Sequence, residues 1–397
     1  MALRTTLAAV AALFGLSAAH AATRGVPEEY GKLLDKGRDI SALGENLFGD
    51  TTSLYGGTTE FSVVDVSIPG NSDLAVEFRR RFVVEDRQQD GYVASLANWD
   101  IDVPFLKGTF AESTGWIVSG PTPNNRCSVS PLNSSPPSVE GFPAETYWHG
   151  YLLHLPGSGE QDLLVPTASS PAAPTSGGPY YWLTKNLTFL SCVPLANGAG
   201  EGFVAVTPDG TRITFDWMIV RGAAGITKQV PPPASMAKLN PDPGVEVTDP
   251  PPEESPDGIE PPSLGRSTVF LMARKITDRF NNTVTYSYSG DQLTAITASD
   301  GRSITITYLN NRVRTVTAGS SVWTYGYDLR FLTDVAQPDG SHWTYSHATG
   351  NGLGVALWLE HSYENPPLPD FTGCMDDSLE GYDTFDLTVT SPSGAKG

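Results

Sequence analysis

The clearest pattern along this chain is an alternation of small polar and apolar residues between positions 283 and 345. It runs through Thr283-Val284-Thr285-Tyr286-Ser287-Tyr288, through Ser303-Ile304-Thr305-Ile306-Thr307-Tyr308 and through Trp323-Thr324-Tyr325-Gly326-Tyr327. A period of two in β-branched and aromatic residues predicts half-buried strands. One face carries Val284, Tyr286 and Tyr288. The strands recur in step. Tyr288, Tyr308 and Tyr327 lie 20 and 19 residues apart, as do Leu293, Val313 and Leu332, and Ile296, Val316 and Val335. A fourth copy opens at Asp339-Gly340 and puts His347 in the tyrosine position. Fixed-period self-similarity is the mark of a repeat architecture, whose units bury their apolar faces by stacking. Asn281-Asn282, Asp300-Gly301 and Asp339-Gly340 tolerate positive φ and predict tight turns. In Leu293-Thr294-Ala295-Ile296-Thr297 the apolar residues stand three apart, which predicts a bulge or strong twist in the second strand of each unit.

Upstream, strands are predicted at 61–68, 74–84, 147–155, 180–184, 203–207 and 211–217, with Pro/Ser/Gly-rich loops near 119–143 and 166–179. Glu28–Asp35 has the pattern of one short amphipathic helix. Residues 229–263 differ in kind: eleven prolines and seven acidic residues stand against one lysine, Lys238. Such a segment has too little apolar surface to offset its ordering entropy and reads as an extended linker. The expected organisation is a leader at 1–21, an N-terminal β domain at 22–228, an acidic Pro-rich linker at 229–263, about four repeats at 264–349 and a strand-rich tail at 350–397, read as truncated. The fold class is all-β: an N-terminal β-sandwich or meandering sheet, the linker, then an open curved antiparallel sheet of hairpin repeats.

Composition narrows the setting. Forty glycines and 32 prolines in 397 residues suit a turn-rich β chain, and 10% aromatic content argues against wholesale disorder. A net charge of −19 disfavours nucleic acid and anionic membrane surfaces as partners. Arg4, the apolar stretch Leu7–Leu16 and Ala19-His20-Ala21 form a secretory-signal pattern, with cleavage expected before Ala22. No other stretch is long and apolar enough to span a bilayer, so no transmembrane span is expected after signal removal, and the protein is expected to be secreted, periplasmic or on the cell surface. Export permits disulfides. Cys127 and Cys192 lie in one candidate domain and are paired on that ground, which leaves Cys374 over.

The repeat residues resemble the Rhs, or YD-repeat, family. The resemblance is carried by Asp278-Arg279-Phe280-Asn281-Asn282-Thr283-Val284-Thr285-Tyr286-Ser287-Tyr288, Leu293-Thr294-Ala295-Ile296 and Asp300-Gly301-Arg302. It resumes at Trp323–Tyr327 and Pro338-Asp339-Gly340-Ser341. The family's unit has Gly where Asn281 stands. Glu45–Asp50, Thr58–Phe61 and Pro208-Asp209-Gly210-Thr211 look like the N-terminal region of secreted bacterial Rhs proteins. The resemblance implies a length of β wall, of the kind that in full-length relatives winds into a shell around a C-terminal toxin. About four repeats are too few to close such a shell, and they leave an open edge to which another Rhs chain can pair. A truncated or split gene product is therefore expected.

Catalytic signatures are lacking. There is no Gly-x-Ser-x-Gly, phosphate-binding glycine loop or His-Glu-x-x-His. His149 and His154 read as surface or core histidines rather than metal ligands. Asp100 and Asp102, two apart, could hold calcium or act as an acid–base pair, but no calcium loop surrounds them and an ordinary solvated edge is favoured. Asp300-Gly301 and Asp339-Gly340 are explained as turns. No catalytic residue, metal or cofactor is expected. Tyr286, Tyr288, Tyr308, Trp323, Tyr325, Tyr327, Trp343 and Tyr345 could form a stacking platform for a cell-surface glycan; their alternation favours cross-strand core packing instead. The expected function is a non-enzymatic structural segment of an exported Rhs-type protein, with a carbohydrate-binding surface module as the alternative.

Overall fold

The computed structural model describes residues 49–52, 59–84, 95–116, 125–129, 136–139, 141–227, 262–328, 331–349 and 385–397. The leader, the helix at 28–35, most of the Pro-rich segment, residues 350–384 and Cys374 lie outside the described residues. The described chain is all-β and antiparallel, with no α-helix among the described residues.

The strands form two sheets. The smaller takes β1 (Asp50–Thr52), β2 (Thr59–Ser67), β3 (Glu77–Val84) and β4 (Asp100–Ile101) in sequence order. The larger begins with β5 (Phe105–Ala111), β6 (Leu152–Leu155) and β7 (Gly159–Asp162). It goes on through β8 (Trp182–Leu183), β9 (Phe189–Pro194), β10 (Glu201–Val206), β11 (Arg212–Thr227) and β12 (Ser263–Thr277). The repeats follow as β13 (Thr283–Ser289), β14 (Gln292–Ala298), β15 (Ser303–Leu309), β16 (Arg312–Ala318), β17 (Ser321–Asp328), β18 (Phe331–Ala336), β19 (His342–Thr349) and β20 (Phe385–Thr390). From β8 to β20 each strand pairs with the next. At β12 the sheet forks: Arg266–Met272 pair with β5, and Lys275–Thr277 pair with β13.

The apolar spacing of three has a definite cause. Ser287 faces Ala295 while Tyr288 faces Leu293, so Thr294 is an extra residue on β14. The same shift occurs at Thr307/Tyr308, leaving Arg314 extra, and at Gly326/Tyr327, leaving Thr333 extra. One inserted residue reverses the alternation, so both apolar residues flanking it face inward. Leu293 and Ile296, Val313 and Val316, and Leu332 and Val335 are accordingly all buried.

The turns repeat as closely. In 298–302, Ala298 N–H donates to Arg302 and Gly301 N–H to Ala298; residues 278–282 and 337–341 bond in the same way. In 298–302 and 337–341 the third-position Asp accepts the N–H two residues on, from Arg302 and Ser341; in 278–282 the Asp stands first and accepts from Phe280 and Asn282. The position before the last is Gly301 (φ 93°), Gly340 (φ 82°) or Asn281 (φ 66°), the left-handed region that Gly and Asn occupy at least cost. The interval of 19 arises where Ala318 pairs Ser321 across a two-residue turn, one residue shorter than the others.

The proline-rich segment is not a division of the sheet: β11 and β12, on either side of it, pair along nearly their whole length, up to Thr227 opposite Ser263. A change of composition marks what lies between two strands and is silent on whether those strands bond. Before the segment, β1–β4 form their own sheet and β8–β11 an antiparallel meander that continues, with β5–β7, into the same sheet as the repeats. One contiguous core runs from Val66 and Phe78 of the small sheet to Val335 and Val389 of the large one.

Candidate functional site

The small sheet lies across the ring-bearing face of the repeats. Phe78 meets Tyr325 edge-on at 5.9 Å and Trp99 meets Tyr345 at 5.1 Å between centroids. Val313 N–H donates to the Ser95 carbonyl at 2.8 Å, Leu332 N–H to Asn98 Oδ1 at 2.9 Å, and Arg302 Nη1 to the Ile68 carbonyl at 2.9 Å. The small sheet carries two buried polar networks, one on each face of β3, the strongest candidates for chemistry among the described residues.

The first centres on Arg80. Along β3, Phe78, Arg80 and Phe82 share a face and all are buried. Opposite, the ladder between β2 and β3 slips between Val64 and Val66, and the extra residue is Asp65. Arg80 Nε lies 2.9 and 2.8 Å from the two Asp65 oxygens, and both side chains have no exposed surface. Tyr325 Oη donates to Asp65 Oδ2 at 2.8 Å, and Arg80 Nη1 donates to the Tyr345 hydroxyl. The guanidinium also stands over Trp99, Trp343 and Tyr345, at 5.0, 5.6 and 5.0 Å from their centroids, where ring quadrupoles favour a cation. Burial works against the Arg80 charge, but Asp65 and the two tyrosines outweigh it and hold its pKa above the ordinary arginine value. Burial pushes the Tyr345 phenol up to about 12 against the pull of Arg80. Burial raises the Asp65 pKa above the usual carboxylate range, with Arg80 and Tyr325 opposing. The group is a buried, aromatic-lined ion pair.

The second network centres on His154 of β6, stacked on Phe105 at 4.6 Å. Its Nδ1 is 3.1 Å from Arg81 Nη1, and its Nε2 is 2.7 Å from Asp102 Oδ1. A guanidinium only donates, so Nδ1 accepts and the Nε2 proton goes to Asp102. The other Asp102 oxygen receives the Ser62 hydroxyl at 3.0 Å. Burial raises the Asp102 pKa, but the hydrogen bond from His154, with the Arg81 charge and the Ser62 bond, holds it below the usual carboxylate range. Asp102 is thus not on a solvated edge: it is 4% exposed, because the chain leaving β4 turns it beneath His154. Asp100 goes elsewhere, to Arg221 at 2.9 Å. Glu160 bridges Arg81 and Lys107 at 3.0 and 2.8 Å. Burial raises its pKa as well, and Lys107 and Arg81 more than reverse this.

Ser, His and Asp thus come together in an order that does not serve nucleophilic catalysis. A nucleophilic serine must donate to the imidazole; here Ser62 donates to the carboxylate and both imidazole nitrogens are engaged. A small cleft beside the network is lined by Arg81, Asp100, Phe105, Lys107, Arg221 and Phe270. Its cations Arg81, Lys107 and Arg221 pair with Glu60, Glu160 and Asp100. Among the described residues no three His, Cys, Asp or Glu side chains are placed to hold a metal ion. His149 is exposed.

The ring residues named from sequence fall into two sets. Tyr286, Tyr325 and Tyr345 are buried; Tyr288, Tyr308, Trp323, Tyr327 and Trp343 are half-buried and packed against the core. The hydroxyls of Tyr288, Tyr308 and Tyr327 donate to the carbonyls of Ala273, Leu293 and Val313 at 3.0, 2.8 and 2.8 Å. Each repeat is thereby tied to the strand before it. His347 makes the corresponding contact, Nε2 to the Leu332 carbonyl at 3.4 Å. Asp300, Gly301, Asp339 and Gly340 build the turns. Cys127 and Cys192 form a disulfide with Cα atoms 5.6 Å apart. Arg80 and Asp65 were missed by sequence reasoning, although one signal was present: Arg80 occupies an inward position between Phe78 and Phe82 and so requires a buried counter-charge.

No protein-family model matches this chain, and no curated protein matches it in sequence.

Proposed function

We propose that this chain is a non-enzymatic structural segment of an exported Rhs-type repeat protein: a length of β wall with its N-terminal sheet packed on one face. The observation that carries the reading is the ladder in which each repeat's tyrosine, and finally His347, bonds a carbonyl of the preceding strand. Aromatic residues used in this way are mortar between units rather than a surface for ligands. The buried polar groups support the same reading, since their charges and imidazole nitrogens are spent on one another. The Cys127–Cys192 disulfide supports an oxidising destination, as the N-terminal signal pattern does. A sugar platform built from Tyr325 and Tyr345 would first require the small sheet to leave, because both rings lie beneath it.

The test is expression of the full chain with its own leader in a Gram-negative host. Expected are an exported protein beginning near Ala22, no turnover of polysaccharide or ester substrates, and no binding on a glycan array at millimolar sugar. Turnover, or glycan binding abolished by Trp323→Ala with Tyr325→Ala, would refute the structural reading.

A further inference from the structure

The turn before β11 has the geometry of the repeat turns. Thr207 N–H donates to Thr211 and Gly210 N–H to Thr207, as in 298–302; Asp209 accepts the Thr211 N–H, and Gly210 has φ 89°. Counting on from this turn, Ile213, Phe215 and Trp217 fall where Val284, Tyr286 and Tyr288, or Ile304, Ile306 and Tyr308, fall after theirs. Ile213 and Phe215 are buried like their counterparts, and the Trp217 ring stacks on Tyr288 at 5.8 Å and 16°. The partner strand continues the match. Lys275 pairs Thr214 while Ala273 pairs Phe215, so Arg274 is extra on β12 at the position of Thr294, Arg314 and Thr333 on the later strands; opposite it the slip falls two residues earlier along β11 than in the later units, and a second slip leaves Asp216 extra on β11. Ala273 stands 20 residues before Leu293, and its carbonyl receives the Tyr288 hydroxyl as Leu293 receives Tyr308.

From these coincidences in turn, bulge and inter-unit bond we infer that β11 and β12 are a further repeat unit, and that residues 228–262 are an insertion in its hairpin loop rather than a connection between domains. The inference stands independently of the wall reading above. Its consequence is that covalent continuity through the insertion is dispensable. The segment before residue 228 and the segment after 262 are held together by the β11–β12 ladder, by the small sheet packed on the repeats and by the Asp65–Tyr325 and Arg80–Tyr345 bonds. The two parts would behave as tightly associated partners.

The experiment places a site-specific protease sequence within residues 236–246 of the full chain, in a Cys374→Ser background. The Cys127–Cys192 bond lies wholly in the N-terminal fragment and cannot tether the two pieces. After cutting, the fragments should co-elute at the volume of the uncut protein, and amide protection across Met218–Gly222 and Ser267–Leu271 should persist until denaturant is added. Fragments that part under native conditions, or loss of that protection on cutting, would overturn the inference. In a second variant Asn-Gly replaces residues 228–262, a two-residue turn suited to closing Thr227 on Ser263. Its thermal midpoint should equal or exceed that of the parent, since a shorter loop costs less entropy to close. A midpoint lower by several degrees, or failure to fold both with this turn and with a Gly/Ser loop of half the native length, would show that the segment belongs to the fold.

Discussion

Replacing Arg80 with Met tests the junction between the small sheet and the repeats most directly. Methionine keeps much of the apolar volume against Trp99, Trp343 and Tyr345 and removes the charge together with its hydrogen bonds to Asp65 and Tyr345. Asp65 would then be a carboxylate with no exposed surface, bonded to Tyr325 but lacking its counter-ion. Breaking a buried pair from one side costs about 3–5 kcal/mol, because the remaining charge is uncompensated. Asp65→Asn should cost a comparable amount for the mirror-image reason. The double variant leaves two neutral groups and should recover a coupling energy of roughly 2–3 kcal/mol relative to the sum of the singles. Urea unfolding followed by near-ultraviolet circular dichroism is the suitable assay, since Trp99 and Tyr345 flank the pair and report its local packing. A single-variant cost under about 1 kcal/mol, the scale of exposed pairs, or simple additivity of the two changes, would refute the burial and the coupling together.

Tyr308→Phe deletes one hydroxyl-to-carbonyl bond between units and should cost about 1 kcal/mol in denaturant unfolding; no loss would mean that the ladder is incidental. His347→Tyr should restore the ladder's usual side chain and flatten the acid limb of stability. Burial holds the His347 pKa below its ordinary value, with the Leu332 carbonyl bond opposing. A depressed folded-state pKa means that stability is full above about pH 6.5 and falls as the pH drops below it, so unchanged pH dependence of unfolding in the variant would contradict the assignment. Gly340→Ala meets no atom within 4 Å and should cost about 1 kcal/mol, from its positive φ alone. Gly202→Ala should cost more, because its new methyl would sit 2.3 Å from the Phe215 carbonyl oxygen; equal thermal shifts for the two would refute the packing at β10.

The repeat geometry was largely legible because its determinants are local. Alternation, Asp-Gly pairs and the spacing of three between Leu293 and Ile296 each act within a few residues, and the predicted irregularity is a one-residue bulge in the first three repeat hairpins, though not between β19 and β20. The unit formed by β11 and β12 was harder to see. Its turn at Asp209-Gly210 was visible, but Phe215 and Trp217 replace the tyrosines and 35 intervening residues hide the period. The ion pair was obscured because Asp65 faces inward only through a bulge, whose position depends on how β2 pairs with β3.

The sequence by itself determined the repeat strands, their turns, the all-β class and the periodic ring positions, since backbone sterics and side-chain alternation operate over short separations; β5, β9 and β12, which lack a clear alternation or turn signal, are not among the predicted strands. Only the tertiary structure decided what those rings face. Covering Tyr325 and Tyr345 with a sheet some 260 residues away in the chain, and matching Arg80 to Asp65 beneath it, depends on which surfaces meet when apolar faces are buried together. Nothing in the local pattern of either segment specifies the other.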